Sequence, residues 1–169
     1  MRLFIEDKLE KLLSQNVTRI DFAKKHQDII NEYNSGSLSV ENYFEDLIDF
    51  SKKLRDEEER HIRENLTTDE LELFDLIRQT NKNLTKKDEQ LVKLVAKDLL
   101  KRLKEEKDKL LVTDWYKDEV AKLTVLKFIK QELNKDLPDS YLPSVFEETC
   151  SKVIEHLQKS EEMGRKWAA

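Results

Sequence analysis

The stretch TKKDEQLVKLVAKDLLKRLKEEKDKL, from Thr85 to Leu110, has the periodicity of one long amphipathic helix. At about 100° per residue, its apolar side chains fall on one side: Leu91, Val92, Val95, Leu99, Leu103 and Leu110. Lysines take the other side: Lys86, Lys93, Lys97, Lys101, Lys104 and Lys107. The segment therefore predicts a helix that packs on one side and faces solvent or a charged partner on the other.

Helix-start signals recur in the part of the chain before this stretch. Leu66-Thr67-Thr68-Asp69-Glu70-Leu71 has the spacing of a capping box with a hydrophobic staple, and Ser39 is a good N-cap. Two Gly and two Pro among 169 residues disfavour folds that need frequent turns. The expected helices cover about 3–13, 18–34, 40–64, 67–79, 85–110, 114–134 and 144–164. We predict an all-α bundle of about seven helices with no sheet.

Two helical regions are expected, a segment at 1–65 and a bundle at 66–169. The helix near 114–134 carries apolar residues around most of its circumference, which is typical of the central helix of a bundle. Its start is assigned to Thr113 or Asp114. The predicted core of this bundle contains Leu123, Leu126, Ile129, Val153 and Leu157.

Motifs of catalysis are missing from the sequence. There is no Gly-x-x-x-x-Gly-Lys phosphate loop and no Gly-x-Ser-x-Gly elbow. Glu58 and His61 have the spacing of a di-metal helix, but a second such pair is lacking, so we predict a surface histidine and no metal site. Cys150, the single cysteine, is expected to be a small core residue. We predict no catalytic residue and no cofactor in this chain.

Charge is unevenly distributed along the chain. The net charge is −5, which argues against a dedicated nucleic-acid binder. Residues 82–136, however, hold 15 basic and 11 acidic residues, a local charge of +4. Within them Lys93, Lys97, Lys101 and Lys104 are candidates for DNA-backbone contacts, and the alternative is an ordinary solvated helix face. No apolar run is long enough for a membrane span, and a cytoplasmic location is expected.

Several short blocks together resemble the C-terminal part of the restriction (R, motor) subunit of type I restriction-modification enzymes. These blocks are residues 29–34, 43–54, 66–71 with Phe74-Asp75, Val112-Thr113-Asp114-Trp115 with Ala121-x-Leu123, and Leu137-Pro138-x-Ser140-Tyr141 with Phe146 and Cys150. Each block is weak alone, and their common order and spacing make the resemblance specific.

The resemblance implies that the chain is a helical part of an ATP- and Mg²⁺-dependent, DNA-translocating endonuclease. It also implies docking onto the modification and specificity subunits, and contact with DNA through that complex. Two other interpretations stay open. One is a DNA-contact module based on the basic middle segment, and the other is a stand-alone helical adaptor that binds proteins.

Overall fold

The computed structural model describes residues 1–164, which contain eight α-helices, two 3₁₀ turns and no strand. The all-α prediction is confirmed, with one helix more than the expected seven. The α-helices are α1 Arg2–Gln15, α2 Ile20–Asn34, α3 Val40–Glu58, α4 Arg60–Arg63, α5 Thr68–Gln79, α6 Lys86–Leu110, α7 Glu119–Asp136 and α8 Pro143–Glu162. The 3₁₀ turns are Val17–Arg19 and Trp115–Lys117.

The chain divides into two compact units, and the division lies within α5. Unit 1 runs from Met1 to Glu72, and unit 2 begins at Leu73. The domain boundary expected between residues 65 and 66 stays a prediction, because compact packing alone does not define an independently folding domain.

Side-chain caps fix the starts of α3 and α5 where the sequence predicts them. Ser39 Oγ accepts the backbone N–H of Asn42 at 3.2 Å. Thr67 Oγ1 accepts the N–H of Glu70 at 3.2 Å, and the Glu70 carboxylate accepts the N–H of Thr67 at 2.9 Å. These bonds satisfy backbone donors that have no partner within the helix, so the predicted capping box is confirmed.

Unit 1 is held by an apolar core between α1 and α3. The buried members of this core are Ile5, Leu9, Leu12, Leu47, Phe50 and Leu54. Phe22, Ala23 and Ile29 of α2 pack against it. The stripe at Ile5, Leu9 and Leu12 follows helical spacing, which explains why α1 presents one continuous face to the core.

Ion pairs complete unit 1 at the end of α3. Glu57 Oε1 accepts from Arg19 Nε at 2.8 Å and from Arg60 Nε at 3.1 Å. Glu58 pairs with Lys8 at 2.9 Å and with Lys11 at 3.6 Å. The run that ends α3 therefore joins this helix to α1 and to the 3₁₀ turn before α2.

In unit 2, α7 packs against α6, α8 and the second 3₁₀ turn. Buried side chains from these elements form its core: Val92, Val95, Leu99, Leu103, Trp115, Val125, Ile129, Leu133, Val153 and Leu157. The predicted burial of Ile129, Val153 and Leu157 is confirmed, and Trp115 is a packing anchor.

Two predicted helix limits are wrong by more than two residues. We expected α3 to continue to residue 64, but it ends at Glu58 and a separate turn of helix, α4, follows. We expected α7 to begin after Thr113 or Asp114. Instead Asp118 caps it by accepting the N–H of Ala121 at 2.7 Å. Asp114 is followed by the 3₁₀ turn Trp115–Lys117, and the extended backbone at Asp118 separates that turn from α7.

The central position predicted for α7 agrees with its packing against α6, α8 and the second 3₁₀ turn, but the predicted burial of Leu123 and Leu126 is wrong. Leu123 is 62 % exposed and Leu126 is half-buried, although both were expected in the core. On α6, Leu91 lies at the margin of the predicted apolar side and is 36 % exposed. The physical reason is that α6, α8 and the 3₁₀ turn cover only part of the circumference of α7.

Candidate functional site

The four candidate lysines lie on one side of α6, as their spacing requires. The helix starts at a second capping box, in which Thr85 Oγ1 accepts the N–H of Asp88 at 3.1 Å. The buried residues Val92, Val95, Leu99 and Leu103 then fix which side of the helix faces inward. We call Lys93, Lys97, Lys101 and Lys104 the lysine face.

The lysines of this face differ in their surroundings. Lys101 and Lys104 are exposed, whereas Lys93 and Lys97 are half-buried. Lys93 Nζ lies 5.7 Å from the centre of the Phe74 ring, a distance at which a cation is attracted to an aromatic face. A lysine stem can lie along apolar surface while its ammonium group stays in water, so the partial burial of these two lysines is compatible with their charge.

Two carboxylates of α6 near the lysine face pair with Arg102, and Asp98 and Asp108 are further acids of the same helix. Glu105 and Glu106 pair with Arg102 at 3.1 and 3.8 Å, and this pairing raises the pKa of Arg102. Among residues 1–164, Lys97, Lys101 and Lys104 form no ion pair. Three lysines of this face therefore lie beyond ion-pair distance of the described carboxylates, while Asp98, Glu105 and Asp108 still lower the net charge of α6.

A second surface of unit 2 is an apolar groove between α7 and α8. It has a volume of about 490 Å³ and is lined by Leu123, Leu126, Lys127, Lys130, Gln131, Asn134 and Phe146. We call it the α7–α8 groove. Lys130 Nζ pairs with Glu147 Oε2 at 2.7 Å, and this hydrogen bond raises the pKa of Lys130.

Sequence reasoning missed the groove because it assigned Leu123 and Leu126 to the core. The signal was present, since α7 is apolar around most of its circumference. That pattern is typical of a central helix, and it also fits a helix with a face reserved for another protein. Only the packing of α6 and α8 shows which part of α7 stays uncovered.

No cluster of side chains suited to a metal ion is found within residues 1–164. No three His, Cys, Asp or Glu residues converge there on a point where a metal could bind. The carboxylate of Glu58 pairs with Lys8 and Lys11 instead. Burial raises the pKa of the Cys150 thiol to about 11, so it stays protonated at neutral pH and is a poor nucleophile.

Across the described residues, the helices are all too short or too polar to cross a membrane. This finding agrees with the hydropathy of the sequence, in which charged residues interrupt every apolar run.

Comparison with known proteins places the chain in a family. A family model described as "Type I restriction enzyme HindI endonuclease subunit-like, C-terminal" matches residues 1–162. The match confirms the resemblance seen in the sequence and extends it to α1, which the short blocks did not cover. No curated protein and no solved structure gives a significant match to the chain. The chain belongs to the family of C-terminal domains of type I restriction enzyme HindI endonuclease subunit-like proteins.

Proposed function

We propose that this chain is the assembly domain of a type I restriction endonuclease subunit and that it binds the modification and specificity subunits of the enzyme. The observation that carries the proposal is that large apolar side chains stay exposed at helical spacing in each unit. On α3 these are Val40, Phe44 and Ile48, and on α7 they are Val120 and Leu123.

Exposed apolar faces of this kind favour an interaction role. Contiguous apolar surface is costly in water, and in soluble proteins it commonly marks a binding site. The rest of α3 and of α7 packs in the core of its own unit, so each helix is rigidly held while it presents the exposed side chains. A rigid surface costs little conformational entropy when a partner binds.

The ATP-dependent translocation and the DNA cleavage of the whole enzyme belong, in this proposal, to other parts of the endonuclease subunit. The chain lacks a phosphate-binding loop in its sequence. The contribution of this domain is to connect those activities to the subunits that recognise the DNA site.

The direct test is binding of the purified chain to a purified complex of modification and specificity subunits, measured by isothermal titration calorimetry. We expect saturable binding with a defined stoichiometry. The matched control is the modification subunit without the specificity subunit, which locates the contact. Apolar burial can have little enthalpy at one temperature, so the titration is repeated at a second temperature, and absence of binding to either preparation at both would contradict the proposal.

A second candidate function is contact with the DNA backbone through the lysine face. The favouring observation is that Lys97, Lys101 and Lys104 form no ion pair within residues 1–164. Lysines on one helix side can follow a phosphate backbone without reading sequence, which suits an enzyme that moves along DNA. The net charge of −5 opposes strong binding by the isolated chain.

A further inference from the structure

The α7–α8 groove leaves its apolar lining uncovered. Leu123 is largely exposed, and Leu126 and Phe146 are half-buried, so these side chains line a depression open to water. From Leu123 to Asn134 the α7 wall spans about 17 Å at 1.5 Å per residue, which is about three helical turns. That length is suited to an amphipathic helix lying in a groove, a common mode of recognition.

The charged side chains of the groove lining itself are both basic, and one carboxylate meets them at the rim. Besides its apolar residues, the lining contains Lys127 and Lys130 with two neutral amides, and no carboxylate. Glu132 of α7 points away from the groove, since it pairs with Lys135 at 2.8 Å and lies 3.8 Å from Arg102 of α6. Glu147 meets Lys130 at the rim, but the Glu147 side chain is mostly exposed. Such an exposed ion pair contributes little stability, so a partner's carboxylate can take the place of Glu147.

We propose that the α7–α8 groove binds one amphipathic helix of a partner protein, whose apolar residues cover Leu123, Leu126 and Phe146 and whose acidic residues meet Lys127 and Lys130. This inference rests on the proposed assembly function and locates one of its contacts. A nucleic-acid backbone matches the groove less well, because phosphates provide nothing to cover the apolar lining.

Complementary charge gives the contact its specificity. A helix with one apolar face could enter the groove whether its flanking residues are acidic or basic. Basic flanks, however, would place cations beside Lys127 and Lys130. Repulsion between like charges lowers the affinity for such a partner and slows its association. The groove should therefore distinguish two helices that differ only in the sign of their flanking charges.

The test uses the full chain with synthetic helical peptides of about 18 residues, long enough to form helix on binding. One peptide has leucines along one face and glutamates on both flanks, and its matched control has lysines in place of the glutamates. Fluorescence anisotropy should show the acidic peptide binding about tenfold more tightly than the basic one, with the difference reduced by salt.

Variants of the chain then locate the contact. Leu123→Glu, and separately the double variant Lys127→Glu/Lys130→Glu, should each weaken binding of the acidic peptide about tenfold or more. Val112→Glu is the matched control, since Val112 is another exposed apolar residue of unit 2 and does not line the groove. It should leave the affinity unchanged. Circular dichroism checks that every variant stays folded.

Equal binding of the two peptides, or unchanged binding by both groove variants, would overturn the proposal. Self-association of the chain that Leu123→Glu abolishes, seen by sedimentation equilibrium, would also overturn it, since the occupant would then be a second copy. If the modification–specificity complex binds Leu123→Glu as well as the native chain, the assembly function stands and the groove assignment fails. If the native chain does not bind that complex at all, the assembly function fails instead.

Discussion

Arg19 and Glu57 form a buried ion pair that connects the turn before α2 to the end of α3. Arg19 Nε lies 2.8 Å from Glu57 Oε1, and the two side chains are 3 % and 12 % exposed. Arg19 also donates to the backbone carbonyl oxygens of Leu12 and Glu57, each at 3.3 Å. One guanidinium group therefore binds α1 and α3 together, at the edge of the apolar core of unit 1.

We expect Arg19→Met to lower the free energy of unfolding by about 3 kcal/mol, because removing one partner leaves a buried carboxylate poorly compensated. Arg60 still pairs with Glu57 at 3.1 Å and keeps the loss at the lower end of the usual range. Urea denaturation followed by circular dichroism measures it. Lys52→Met is the control, because its pair with Asp49 is exposed and should contribute less than about 1 kcal/mol. Equal losses in the two variants would contradict this account.

Two substitutions on α7 test which of its faces is buried. Ile129→Ala should lower the free energy of unfolding by about 2–5 kcal/mol, because Ile129 is fully buried and its truncation leaves a cavity. Leu123→Ala should change it by less than about 0.5 kcal/mol, as expected for an exposed position. Thermal melts followed by circular dichroism compare the two. A large loss for Leu123→Ala would mean that this face is covered within the chain.

The contrast between these two positions shows what the sequence can predict. Helix type, most helix limits and the caps at Ser39 and Thr67 follow from local chemistry, and the structure confirms them. Which face of α7 is buried depends on packing by distant segments, and periodicity cannot reveal it when apolar residues surround the helix.

Charged residues show the same limit. The acidic run at the end of α3 is typical of a solvated helix, yet Glu57 is nearly buried because Arg19 lies opposite it. Sequence reasoning has no rule that pairs residues 38 positions apart. The lysine face, in contrast, depends only on helical spacing within α6, so its placement could be predicted from the sequence.

His26 should make unit 1 less stable in mild acid. Burial lowers its pKa, with a smaller opposing effect of Glu6, and the ring stacks on Phe50 at 5.6 Å. The unfolded chain, with an imidazole pKa of about 6.5, then binds more protons than the folded chain. Stability is therefore fully present above about pH 6.5 and falls as the pH decreases towards the lower pKa of the folded state.

Urea denaturation at about pH 7.5 and pH 5.5 measures this effect, above the range in which most carboxylates titrate. His26→Leu should lose the part of the pH dependence that lies in this window. An equally steep fall in the variant would assign the effect to other groups.

The lysine face makes a quantitative prediction for DNA. If all four lysines contact phosphates, the slope of log affinity against log salt should be about −3.6, from about −0.9 for each neutralised phosphate. Binding should be weak, independent of sequence and measurable only at low salt, because the net charge of −5 opposes it. Changing Lys93, Lys97, Lys101 and Lys104 together to Glu should abolish it in anisotropy titrations with duplex DNA.

The matched control changes four other lysines to Glu, namely Lys87, Lys109, Lys152 and Lys159, all of which are exposed. It alters the net charge by the same amount and lies outside the lysine face. If the control weakens DNA binding as much as the first set, the effect is one of total charge and the lysine face has no specific role.

The central claim is that this domain holds the endonuclease subunit on the modification and specificity subunits. The most direct measurement is competition, in which increasing amounts of the isolated chain are added to a limiting modification–specificity complex with the full-length endonuclease subunit. Analytical ultracentrifugation then follows the fraction of complete enzyme. We predict that the chain displaces the full-length subunit in a saturable manner, with DNA-translocating activity falling in parallel. Undiminished assembly at a large excess of folded chain would contradict the claim.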